Sequence, residues 1–91
     1  MFQKKIKNGI QYLNQNYPNW LHKISVDKLI MNSGCRCIMG QLLGHFHTGT
    51  LDIGLDKMEE LGFYLSGDNA HHYMELTQEW KEEIKKHHEK A

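Results

Sequence analysis

Phe2, Ile6, Ile10, Leu13 and Tyr17 follow one another at steps of four, four, three and four, which is one face of a helix over residues 2–17. Lys4, Lys5, Lys7, Asn8, Gln11 and Asn14 fall on the opposite face. Pro18-Asn19 ends the pattern, because the residue before a proline is pushed out of the α region. Gly9 weakens the middle slightly. From residue 20 the period is lost. Trp20, Leu21 and Ile24 are apolar, Ile24-Ser25-Val26-Asp27 alternates, and Leu29-Ile30-Met31 is a short apolar run. A lone strand would have no partner, so the stretch reads as an extended connector or a short helix, with Ser25 able to cap a turn. Asn32-Ser33-Gly34 is a turn signal.

Helical spacing returns from Cys35 to Phe46, where Ile38, Leu42 and Phe46 share a stripe flanked by Met39 and Leu43. Gly40 and Gly44 stand four apart on it, a pair that lets another helix approach closely. Two copies of the chain are predicted to pack there as a homo-oligomer. Thr48-Gly49-Thr50 reads as a break, followed by a helix from Asp52 to Leu61 with Leu55, Met58 and Leu61 inward and Gly62 at C′. Phe63, Tyr64 and Leu65 precede a loop, Ser66-Gly67-Asp68-Asn69. The last helix runs from about Ala70 to His88 on a stripe of Tyr73, Leu76, Trp80 and Ile84, with Thr77 and His87 at its margins. Asp68 or Asn69 would cap it, and Glu82 and Lys86 form a favourable i,i+4 pair. The expected fold is mainly α: a small four-helix domain with an extended or short-helical connector between helices 1 and 2, residues 1–91 forming a single helical domain.

Ninety-one residues leave room for one modest core, and 40% hydrophobic residues suit a folded chain. No apolar run is long enough for a bilayer, and Met1-Phe2-Gln3-Lys4-Lys5 leads into an amphipathic pattern rather than a signal peptide. The expectation is a cytoplasmic protein with no membrane partner. Eleven basic and eleven acidic residues cancel, so the basic footprint of a duplex-binding domain is missing. Ten of the basic residues are Lys and one, Arg36, is Arg.

Cys35, Cys37, His45 and His47 give the spacing C-x-C-x7-H-x-H, four ligand types that zinc accepts. On one helix, however, Cys37 and His45 would stand roughly 12 Å apart. Zinc is therefore the weaker alternative to a packed Cys37 and to histidines placed at a helix C-terminal end, where positive charge is favoured. The cysteines are too close in sequence for a good disulfide and are expected as thiols. His71-His72 and His87-His88 are adjacent pairs whose rings diverge on a helix. A catalytic cysteine would need a positioned His and carboxylate, and no phosphate-binding glycine loop, HExxH or paired-carboxylate motif occurs. Neither catalytic residues nor a cofactor are expected. The segment Ser33-Gly34-Cys35-Arg36-Cys37 points elsewhere: a turn opening a helix, with the chain's one arginine on its first turn, suits a phosphate-bearing ligand. Gln41, one turn on, would add polar selectivity, and Trp20 or Tyr73 would stack on a base. The bland reading of Arg36 is a solvated surface residue.

Three stretches carry a resemblance: Cys37-Ile38-Met39-Gly40-Gln41-Leu42-Leu43-Gly44, then Leu61-Gly62-Phe63, then Leu76-Thr77 with Trp80. Over about residues 20–84 this resembles a pattern in small orphan proteins of bacteriophages, a pattern that does not include His45 or His47. The resemblance implies a counter-defence accessory protein acting in the host cytosol. Such a protein sequesters a nucleotide immune signal or, alternatively, inhibits a host defence protein directly. A small structural or regulatory phage subunit is the third reading.

Overall fold

The computed structural model describes residues 2–67 and 70–90, and the regular structure among them is helical throughout. Six α-helices, α1 (Gln3–Asn16), α2 (Trp20–Lys23), α3 (Ile38–Leu43), α4 (Phe46–Ile53), α5 (Leu55–Glu60) and α6 (Ala70–Lys90), are joined by turns, with a 3-10 turn at Val26–Lys28. The expected caps Asp68 and Asn69 both lie outside the described residues.

The apolar period of the last stretch is realised in full. Tyr73, Leu76, Trp80 and Ile84 are all buried and make α6 the spine on which α1, α2 and the 3-10 turn pack. Ile6, Ile10 and Leu13 of α1 turn toward the same core, while its lysine face stays out. The buried residues of all these segments form one cluster with Trp20, Ile24, Leu29, Met31, Met58, Leu61 and Phe63.

Trp80 is wholly buried at the point where α1, α6 and the turn after α5 meet. Its indole N–H donates to the Gly62 carbonyl at 2.8 Å, and its ring stacks on Phe63 with centroids 5.8 Å apart. Gly9 faces it from α1. A Cβ at Gly9 would collide with the Leu61 carbonyl oxygen and stand 3.1 Å from two carbons of the indole. Gly9 is thus the contact that seats α1, and its cost in helix propensity is overridden by packing.

Polar side chains tie the remaining ends together. Glu79 of α6 accepts the Phe2 N–H at 2.9 Å, and Thr77 accepts the Met31 N–H at 2.9 Å, fixing the connector to the spine. Asn14 accepts the Trp20 indole N–H at 2.8 Å, joining α2 to α1. Ser66 donates through both its hydroxyl and its N–H to Glu59, which holds that carboxyl below its ordinary range.

The middle of the chain departs from the expected single helix and break. Residues 34–36 form a turn, α3 begins only at Ile38, and it stops at Gly44, whose φ is +95°. Thr48-Gly49-Thr50 lies inside α4, not between helices. Two glycines exchange their expected roles. Gly44 ends a helix in a backbone conformation that L side chains resist, while Gly49 is a crossing point, since a Cβ there would stand 2.9 Å from the Met39 side chain. Gly40 does permit a close approach, but to the chain's own turn: a Cβ would lie 2.5 Å from the Gly34 carbonyl oxygen. Gly40 is therefore covered by the chain's own turn and is not open to a second copy, while Gly44 is exposed.

Two substitutions test the seat of Trp80 by denaturant unfolding. Trp80→Ala is expected to cost about 3–5 kcal/mol, as truncation of a buried aromatic does. Gly9→Ala, which helix propensity alone would make stabilising, is expected to cost about 1–3 kcal/mol through overpacking. A stabilised Gly9→Ala protein would contradict this packing.

Candidate functional site

Cys37, not Cys35, stands at the start of α3, as its N-cap. Its backbone is extended, and its sulfur accepts the Gly40 N–H at 3.3 Å, so a buried thiol serves as the N-cap. Burial pushes this thiol above its ordinary value, which keeps it protonated and a poor nucleophile. Cys35 is exposed.

The backbone N–H groups expected to face an anion are engaged within the turn. Arg36 N–H donates to the Ser33 hydroxyl at 3.2 Å, and Cys37 N–H to the Ser33 carbonyl at 3.1 Å. Gln41 is consumed in the same way. Its carbonyl accepts the Ser25 N–H at 2.6 Å, and its amide donates to the carbonyls of Ser25 at 3.2 Å and Arg36 at 2.9 Å. Gln41 therefore clamps the connector onto the 33–37 turn. The Arg36 side chain stands exposed beyond it.

Trp20 is buried with its N–H on Asn14, which leaves no open face for stacking on a base. Tyr73 is buried as well: its hydroxyl accepts the Leu65 N–H at 3.0 Å and donates to the Leu65 carbonyl at 3.1 Å. That bond pair holds the segment after α5 against α6.

Ser33, Gly34 and Tyr73 nevertheless share one cleft of about 420 Å³, whose other lining residues are Met31, Asn32, His45, Phe46, His47 and Tyr64. Arg36, Gln41 and Trp20 do not line it. The cleft exists because three separate segments converge. The Phe46 N–H donates to the Gly34 carbonyl at 2.8 Å, bringing the start of α4 onto the turn, and the Phe46 and Tyr64 rings meet with centroids 5.9 Å apart. His45 and His47 stack, centroids 5.1 Å apart and planes within 8° of parallel.

These histidines sit at the N-terminal end of α4, not at the C-terminal end of a helix as expected. His45 is its N-cap, accepting the His47 N–H on Nδ1 at 3.1 Å. Parallel stacked rings do not converge on an ion, and Cys37 is turned into the core. Among the described residues no group of three or more His, Cys, Asp and Glu side chains is placed to hold a metal. On α6, His71 lies 3.4 Å from Glu75.

Sequence reasoning missed Phe46 and Tyr64 as cleft residues. Phe46 was read as the last core position of a longer helix, and nothing in the chain pairs it with a tyrosine eighteen places on. No family model, curated protein or solved structure matches the chain. No helix among the described residues is long and apolar enough to cross a membrane.

The roles of Gln41 and Arg36 separate by mutation. Gln41→Ala leaves the Ser25 N–H without its partner and takes one of two donors from each of the Ser25 and Arg36 carbonyls. It is expected to cost about 1 kcal/mol in denaturant unfolding, against less than about 0.5 kcal/mol for Arg36→Ala. Equal effects would contradict the clamp. Thiol labelling of the folded protein should modify Cys35 promptly and Cys37 only in denaturant; prompt reaction at both would contradict the buried cap.

Proposed function

We propose that this chain is a non-enzymatic binding protein that holds a nucleotide-type small molecule in the cleft between the 31–34 turn, the start of α4 and Tyr64. The observation that carries the reading is the Phe46–Tyr64 ring pair facing the polar Asn32-Ser33-Gly34 turn across one cleft. A volume of about 420 Å³ falls within the range of small-molecule sites, which combine apolar walls with a few polar groups. A planar base would pack against the rings of Phe46 and Tyr64. The Asn32 amide, the Ser33 hydroxyl and the imidazoles of His45 and His47 supply hydrogen bonds for ribose or phosphate oxygens. The site is thus displaced from the Arg36 turn, where the N–H groups are already engaged, to the other side of Ser33-Gly34.

The resemblance to bacteriophage orphan proteins gives this binding its role: sequestration of a nucleotide immune signal in the host cell. A second reading, direct inhibition of a host defence protein, is favoured by Leu51, which is 86% exposed at the end of α4, and Leu55, 46% exposed at the start of α5. Large apolar side chains left in water suit a protein surface better than a small molecule.

Calorimetry of the purified protein against ADP-ribose-like compounds and cyclic dinucleotides tests the first reading. Binding by one class is expected, weakened at least tenfold, about 1.4 kcal/mol, by Tyr64→Ala. Absence of heat from every compound, together with capture of a host protein that Leu51→Glu abolishes, would replace it with the second.

A further inference from the structure

We propose that the joint between the 33–37 turn and α4 is a proton-operated latch, with the His45 imidazole as its moving part. Two contacts close the joint. The Phe46 N–H donates to the Gly34 carbonyl at 2.8 Å, and the His45 ring lies over Gly34, close enough that a Cβ there would stand 2.9 Å from Nε2 and 3.1 Å from Cε1. Nδ1 of the same ring accepts the His47 N–H at 3.1 Å and so caps α4. A side-chain cap has to be an acceptor, which is why Ser, Thr, Asp and Asn are favoured at this position.

An imidazole accepts on Nδ1 only while neutral and carrying its hydrogen on Nε2; the cation has hydrogen on both nitrogens. Protonation therefore replaces an acceptor by a donor facing another donor. It also creates a positive charge at the helix end whose dipole disfavours cations. His47, stacked on His45 at 5.1 Å, is a histidine too, and two imidazolium rings at that distance repel.

His47 of α4 stacks on His45, the other titratable groups lining the cleft are Tyr64 from the segment after α5 and Tyr73 from α6, and the turn beneath carries exposed Cys35 and Arg36. No carboxylate is among the residues lining the cleft to offset an imidazolium. Protonation thus works against the closed joint: the latch holds while the His45 ring is neutral and is released once the ring is protonated. Gly34, His45, Phe46 and His47 all line the cleft, so release moves one of its walls, whatever the cleft binds.

Thermal unfolding of the full chain at pH 8 and pH 5 tests the latch, with His45→Asn as the comparison, because Asn keeps a cap acceptor at every pH. The other six histidines are common to both proteins. Wild type is expected to lose about 4–8 °C more than His45→Asn across the interval, the shift that loss of one cap produces in a domain of this size. Equal losses would overturn the proposal. Nitrogen-15 NMR of wild type reads the same device without any substitution. At pH 8, His45 should carry its hydrogen on Nε2, and the His47 amide resonance should follow the His45 titration. Hydrogen on Nδ1 at pH 8, or a His47 amide indifferent to that titration, would overturn it.

Discussion

The Trp80 indole stands where α1, the turn after α5 and α6 meet, and each is shaped around it. α1 has no side chain at Gly9, the turn offers the Gly62 carbonyl, and Phe63 lies parallel against the ring. In a chain of 91 residues the core is small, so one large buried ring with its polar atom satisfied accounts for much of the available stabilisation. Outside this seat, single polar side chains add ties to the apolar core: Glu79 on the N-terminus, Thr77 on the connector, Gln41 on the 33–37 turn and Tyr73 on the segment after α5. The cleft depends on the last two. Tyr73 fixes the backbone from which Tyr64 extends, and Gln41 fixes the turn that carries Ser33 and Gly34.

The long helices were legible because burial on one face imposes a period, and α1 and α6 are long enough to display it. The stripe at Tyr73, Leu76, Trp80 and Ile84 lies in the core residue for residue. Gly62, read as a C′ residue from its place after Leu61, has the positive φ that role requires. The middle was less legible because its helices are short and glycines decide their limits. A glycine serves equally as a terminator or as a crossing point, and sequence spacing does not tell the two apart. Gly44 and Gly49 were accordingly assigned each other's roles, and the difference is decided by Met39, which occupies the space beside Gly49.

The candidate site was legible only in part, for a related reason. Ser33 and Gly34 were found through their turn signal, and they do border the cleft. The inference from Arg36 and Gln41 required a helix starting at Cys35. With α3 starting at Ile38, Gln41 becomes a clamp and Arg36 a surface residue. His45 drew attention as a metal ligand, but its place before α4 gives it a different task, one that sequence rules for caps do not flag because histidine is seldom found there. Convergence of residues 31–34, 45–47, 64 and 73 is a product of tertiary packing, and no local pattern announces it.

Cooperative dependence on the Trp80 seat is best measured in a Trp20→Phe variant, which leaves Trp80 as the single tryptophan reporter. Denaturant unfolding should be followed in parallel by indole fluorescence and far-UV circular dichroism. If the fold depends on this seat, the native indole emits as a buried group and the two transitions coincide, because exposure of Trp80 and loss of helix are one event. Indole exposure at clearly lower denaturant concentration than helix loss would contradict the account, since the helices would then persist without the contact said to unite them.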